Sequence, residues 1–282
     1  MLDPLHLVAM VGSAFGAGVM NAIAGGGTIL TFPVLLWLGE SAITANATST
    51  VALLPGAIGS ITGYRREVRT HGAWLRTFAL PSVLGGATGS VLLLRTPERA
   101  FAHLAPLLIL FATVLFMFQG LVARWMARRA ALAAVEGGVV PAAPDAAASD
   151  GPPSPQRGLP AGRQLAAWLF QFAVAIYGGY FGAGIGILML AVLGFMGLTD
   201  IHAMNGLKNF FGMCINGVAA LYFISRGAVD WPAALVMALG ALLGGYSGAR
   251  LARRLGRDKA RVAVIVIGLS ITAVLLWQQH GR

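Results

Sequence analysis

The chain has 282 residues, of which 57% are hydrophobic and only 11% charged, and its mean hydropathy is +0.76. A soluble domain carries roughly 25% charged residues to wet its surface, so this composition argues against one and points to an all-α integral membrane protein. The formal net charge of +10 does not make it a nucleic-acid binder. Its Arg and Lys residues gather in short stretches between apolar runs, as in membrane proteins that keep basic loops in the cytoplasm, and no aromatic residues interleave with them to stack bases.

The first apolar run, residues 5–22, starts within MLDPLHLVAM, which lacks the positive flank of a secretory signal and is expected to stay as the first span. A short second run, 26–39, is introduced by AGGGT at Ala24 to Thr28. The third, 44–64, opens on the polar turn ANATST, and runs at 73–94 and 102–123 follow. Residues 124–163 then change character: AVEGGVVPAAPDAAASDGPPSPQRGLPAGR is rich in Pro, Ala and Gly without a periodic apolar face, which predicts a flexible solvent-exposed linker. Five more runs occupy 164–183, 185–198, 203–225, 231–250 and 260–278. Their continuous hydrophobicity fits helices rather than the alternation of a membrane barrel.

The two sets of five repeat each other. A shift of 159 residues places Gly25 on Gly184, Gly27 on Gly186 and Asn46 on Asn205, and brings Gly85, Gly86 and Gly89 onto Gly244, Gly245 and Gly248. The expected organisation is a first transmembrane repeat at 1–123, a cytoplasmic linker at 124–163 and a second repeat at 164–282. Basic residues set the orientation. Arg65, Arg66 and Arg69, the linker flanks Arg124, Arg128, Arg129 and Arg163, and the loop from Arg250 through Arg253, Arg254, Arg257 and Lys259 to Arg261 all fall on one side if each half crosses five times. Both termini then lie outside and the halves are inverted repeats, a transporter-like plan. Trp37, Trp74, Trp125, Trp168, Trp231 and Trp277 lie near the ends of the runs, where amphipathic rings favour the headgroup region.

The short runs 26–39 and 185–198 occupy corresponding places, and each is led by glycines, the second by FGAGIG at Phe181 to Gly186. A run of this length falls short of a hydrocarbon core of about 30 Å. Paired, Gly-interrupted short helices mark the binding site of many carriers. A helix that begins inside the protein offers backbone N–H groups and the positive end of its dipole to an anion, and glycine admits the ligand to the backbone. Glycines that merely permit tight helix crossings are the plain alternative. These considerations nominate Gly25, Gly26, Gly27, Thr28, Gly184 and Gly186. Beside each short run begins a helix with a polar first turn: Asn46, Ser49 and Thr50 in one half, Asn205, Lys208 and Asn209 in the other, at the same spacing and on one helical face. Amide and hydroxyl donors can hold an oxyanion without a fixed charge. Lys208 is a cation within an expected span, hence a functional candidate, with snorkelling to the interface as its alternative. Asn216 returns to the same face and extends the stripe.

Other chemistry finds little support. The carboxylates fall in loops, the linker or run ends; Glu40 and Asp200, just past the short runs, read as solvated loop residues before any gating role. His103 and His202 are isolated, no acid pair or nucleophile–base set stands out, and Cys214 reads as a small buried hydrophobe. No enzyme activity, cofactor or metal is expected.

At these motifs the chain resembles the TauE/SafE family of sulfite exporters. The resemblance rests on NAIAGGGTILTFPVLL from Asn21, ANATSTVALLPGAIGSITGY from Ala45, YFGAGIGILML from Tyr180, NGLKN from Asn205 and GAVDW from Gly227, and its two-half layout covers the chain apart from the linker. It implies a multi-pass protein of a bacterial inner membrane that carries sulfite, an organosulfonate or a related small anion. A carrier of another small anion such as a carboxylate, or a non-transporting membrane scaffold, are the rival readings. Oligomeric state is not legible.

Overall fold

Each of the ten apolar runs is a helix. The computed structural model describes residues 3–23, 25–136, 161–198, 200–255 and 257–280. The first half holds α1 (Pro4–Ile23), α2 (Thr28–Trp37), α3 (Ala42–Gly63), α4 (Arg65–Thr70), α5 (Gly72–Arg95) and α6 (Glu98–Glu136). The second holds α7 (Ala161–Tyr180), α8 (Ile185–Phe195), α9 (Ile201–Ser225), α10 (Trp231–Leu255) and α11 (Arg257–His280). No strand occurs among the described residues. Four stretches there are long and apolar enough to cross a membrane, namely Pro4–Ala22, Gly72–Arg95, Glu98–Phe118 and His202–Ser225, and four shorter apolar helices accompany them.

Three features of the helices depart from the sequence expectation. The Arg65–Arg69 stretch is not a bare loop but the six-residue helix α4, which buries Val68 and exposes Arg65, Arg66 and Arg69. Secondly, α6 does not stop at 123: it runs on to Glu136, because Ala and Arg are good helix formers and nothing breaks the chain before Gly137 and Gly138. Of the rest of the expected linker, 137–160 lie outside the described residues and 161–163 open α7. Lastly, Trp74 is not part of an interfacial belt. It is 2% exposed and stacks on Phe78 at 5.9 Å between ring centroids, whereas Trp37, Trp231 and Trp277 are exposed.

Packing pairs the halves reciprocally. α1 lies against α10 as α7 lies against α5; α10 also meets α3 as α5 meets α9; α3 meets α9, and α6 meets α11. Gly85, Gly86, Gly89, Gly244 and Gly245 of the 159-residue register sit at these crossings. A Cβ added at Gly86 would come within 2.9 Å of Ile215 O, and one at Gly245 within 2.7 Å of Gly56 O. Gly56 and Ile215 are themselves one register apart. Without a hydrophobic force between helices in lipid, such close backbone approach supplies the dispersion contacts that hold them together.

Contacts also give the helix directions. Gly240 meets Val11 and Gly244 meets Phe15, so α1 and α10 run the same way. Gln171 donates to Ser82 Oγ at 2.9 Å, and farther along Gly89 meets Ile176, so α5 and α7 do too. By contrast, the start of α9 at Gly206 packs on Tyr64 and Val68 just beyond α3, while the Asp230 N–H past the end of α9 donates to Thr48 Oγ1 near the start of α3. α3 and α9 are therefore antiparallel.

Side-chain caps fix both of these helix starts. Ser41 caps α3 through Thr44 N, and its register mate Asp200 caps α9 through His202 N at 2.9 Å. Glu98, from the first turn of α6, adds a carboxylate over the first amides of α3. Glu40 is not the freely solvated carboxylate expected: it is half-buried and hydrogen-bonds the Asp230 carboxyl. Burial first, then that bond and the like charge of Asp230, hold the Glu40 carboxyl above its ordinary range.

A Cβ at Gly89 would stand 2.1 Å from Ile176 O. Gly89→Ala should therefore force α5 away from α7 and cost about 1–3 kcal/mol, read as a lower unfolding temperature of the protein in detergent. An unchanged temperature would mean that the crossing is looser than described.

Candidate functional site

The two chain breaks meet. α1 ends at Ile23 and α2 starts at Thr28; α7 ends at Tyr180 and α8 starts at Ile185. Between these ends, Gly25 lies so near Gly186 that a Cβ on it would be 3.1 Å from Gly186 Cα, and one on Gly26 would be 2.9 Å from Gly184 N. Gly26 has φ 101° and Gly184, the N-cap of α8, has φ 78°, a region that L side chains avoid. Each break is pinned by a polar side chain. Asn21 Oδ1 accepts the Gly27 N–H at 2.8 Å, taking one of the orphan donors at the start of α2. The Tyr177 hydroxyl donates to Ala183 O at 2.7 Å, and Asn46 Nδ2 reaches from α3 to Tyr180 O at 3.0 Å.

Beside the meeting point lies a cavity of about 60 Å³. Asn21, Gly25, Gly26 and Thr28 line it from the first break, and Thr50, Leu53 and Ala57 from α3. The second half contributes Gly182, Ile185, Gly186 and Met189, with Lys208, Asn209, Gly212, Met213 and Asn216 along α9. The enclosed part suits the charged group of a small anion, and the cavity is open on one side, where Met213 is 37% exposed.

Lys208 dominates its electrostatics. The side chain is 3% exposed, too deep for its ammonium to reach the helix end, and among the described residues Nζ has no hydrogen-bond partner. The register explains why. Lys208 corresponds to Ser49, whose hydroxyl hydrogen-bonds Thr31 Oγ1 on α2 at 2.5 Å. Thr31 corresponds in turn to Leu190 on α8, which offers no polar atom. The first half closes this contact upon itself; the second leaves a buried ammonium, a costly state unless something pairs with it. Asn209 Nδ2 is a second buried donor without a partner among the described residues.

Of the residues nominated from the sequence, Gly25, Gly26, Thr28, Thr50, Gly186, Lys208 and Asn209 line one cavity, and so does Asn216. Others lie behind it. Gly27 packs on Ala17 and gives its N–H to Asn21. Gly184 faces Ala112 and Leu115. Asn46 is 1% exposed and serves the second break, with its Oδ1 unpartnered, and Ser49 serves α2. Asn205 is half-buried in the first turns of α9, the end that meets α4. Residues on one helical face thus diverge, because α3 is wedged between α2, α9 and α10. Asn21 and Gly212 escaped the sequence reading; a lone amide in the last turn before a glycine break was the available signal for the first.

Gly26→Ala would place a Cβ 2.7 Å from Phe116 Cε2 in a strained backbone conformation. A loss of about 1–3 kcal/mol is expected, read by thermal unfolding in detergent. Wild-type stability would show that the two breaks can part without cost.

The family model "Sulfite exporter TauE/SafE" matches residues 10–275. "Probable membrane transporter protein YfcA" of Escherichia coli K12 is 25% identical, with 100% of this chain and 94% of that protein aligned. A "Probable membrane transporter protein" of Haemophilus influenzae is 27% identical over 99% of this chain and 96% of its own length. "Probable membrane transporter protein ORF9" of a Sinorhizobium species is 23% identical, with 96% and 93% aligned. No solved structure matches.

Proposed function

The chain belongs to the TauE/SafE family of sulfite exporters, and on that premise we propose that it is a secondary carrier of a small anion: sulfite, a related sulfur oxyanion or an organosulfonate. One observation carries the reading. Among the described residues Lys208 Nζ is buried without a partner, beside the place where two helix starts converge. A lysine and two positive dipole ends, each equivalent to about half a charge, favour an anion and offset its desolvation. Gly25, Gly26, Thr28, Thr50, Gly186, Lys208 and Asn209 are its proposed contacts, with Gly27, Asn46, Ser49, Gly184 and Asn205 holding the two breaks in place. The relatives named as probable membrane transporters support carriage in preference to catalysis.

The scaffold reads as two five-helix repeats of opposite orientation, α1–α3 with α5 and α6, and α7–α11. Reciprocal packing and the antiparallel α3 and α9 support this. In such a carrier one half rocks against the other around a fixed site. The Arg65–Arg69 helix, the end of α6 with the segment that joins it to α7, and the Arg250–Arg261 stretch then face the cytoplasm of a bacterial inner membrane.

Purified protein in proteoliposomes, offered sulfite, thiosulfate, sulfonates and short carboxylates, tests the function; movement of carboxylates alone would replace the sulfur-anion reading, and no anion flux would reject the carrier. In the same assay Lys208→Met should weaken binding by about 2 kcal/mol or more, roughly thirtyfold in Kd, with the fold intact. Lys208→Arg should fall between, since a planar guanidinium reaches differently from a compact ammonium. Wild-type affinity in folded Lys208→Met would remove the proposed role.

For the orientation, single cysteines can replace Arg66 and Arg226, both exposed, in a chain whose Cys214 is first changed to Ala. A membrane-impermeant thiol reagent applied to intact cells should label position 226 and spare position 66. The opposite pattern would invert the topology, and labelling of both or neither would defeat the two-sided arrangement.

A further inference from the structure

Gly212 follows Lys208 by one turn of α9, and Asn216 follows Gly212 by another, so the three lie on one face. All three line the cavity. A glycine inside a helix costs about 1 kcal/mol relative to alanine, and close packing is the reason at several glycines of this fold. A Cβ at Gly86, Gly179 or Gly245 would come within 3.0 Å of a neighbouring helix's backbone. A Cβ at Gly212 would meet none of the described residues within 4 Å, and its backbone is ordinary right-handed helix. Neither packing nor conformation asks for a glycine there. What the missing side chain leaves is room beside the unpartnered ammonium.

The walls of that room are apolar. Leu53 and Ala57 of α3 line it, with Met189 of α8 and Met213 of α9. Met213 is 37% exposed although it lines the cavity, whereas Met189 is fully buried. Thioether side chains are unbranched and adapt to variable shapes. From Lys208 to Gly212 the helix rises about 6 Å, enough for a short alkyl chain laid along α9.

We propose that Gly212 is a specificity-determining residue: it leaves the bare strip of α9 on which the apolar body of an organic anion rests while the charged group sits at Lys208. This rests on the anion-carrier reading above and adds to it a selection by chain length. A bare oxyanion fills only the Lys208 end and does not touch the strip.

The test compares wild type with Gly212→Ala and Gly212→Leu, using sulfite, methanesulfonate and butane-1-sulfonate as probes for binding in detergent and flux in proteoliposomes. Gly212→Leu should raise the Kd for butane-1-sulfonate at least about tenfold more than that for sulfite or methanesulfonate, and Gly212→Ala should fall between. Its unfolding temperature should equal or exceed that of wild type, since the new methyl has open space; if Gly212→Leu fails to fold, the alanine variant carries the comparison. Equal losses for all three probes, no change for any, or a wild type that takes sulfite but refuses butane-1-sulfonate would each overturn the proposal while leaving the carrier standing. A wild type that binds none of the probes overturns both.

Discussion

Backbone N–H groups in the first turn of a helix have no partner within that helix. At a protein surface water takes them, but α2 and α8 begin inside the bundle, where Gly26, Gly27 and Gly184 are buried. This constraint organises the rest of the molecule. Asn21 satisfies one donor of the first break, and Tyr177 and Asn46 tie down carbonyls of the second. The breaks can approach each other only because Gly25, Gly26 and Gly186 carry no side chains. The small residues of the α1–α10 and α5–α7 crossings then bring the surrounding helices close enough to enclose the junction.

Upon this near-symmetric frame the site is strongly asymmetric. Ser49 and Lys208 occupy equivalent places, yet one hydroxyl is satisfied by Thr31 while the ammonium faces the counterpart of Thr31, a leucine. The same division recurs one position on. Thr50 Oγ1 bonds its own helix at Asn46 O, whereas the Asn209 amide nitrogen has no partner among the described residues. The proposed duplication would account for the frame, and divergence at a handful of positions for the chemistry proposed for it.

The helices were legible because apolar runs broken by polar turns leave the chain few alternatives. Register was legible too, since glycines at crossings tolerate little else. Less could be read where tertiary context decides. The six residues of α4 contain one buried side chain, Val68, too little to form a pattern. Trp74 looks interfacial by position but is claimed by Phe78. Helical spacing put Asn46, Ser49 and Thr50 on one face, and it could not say that three different neighbours would divide that face among themselves. Gly212 carried no local mark at all; its meaning depends on the emptiness around it.

α4 has a consequence for energetics. It packs on the first turns of α9, and nothing like it follows α9, where the chain turns from Ser225 to Trp231 with Arg226 resting on the Tyr222 ring. If the halves exchanged roles perfectly, opening toward either side of the bilayer would yield degenerate states, equally populated without a ligand or gradient. One extra helical turn clamped to one face lifts that degeneracy. In the carrier proposed here, α4 would therefore favour one resting posture over the other, a preference that owes nothing to the cargo.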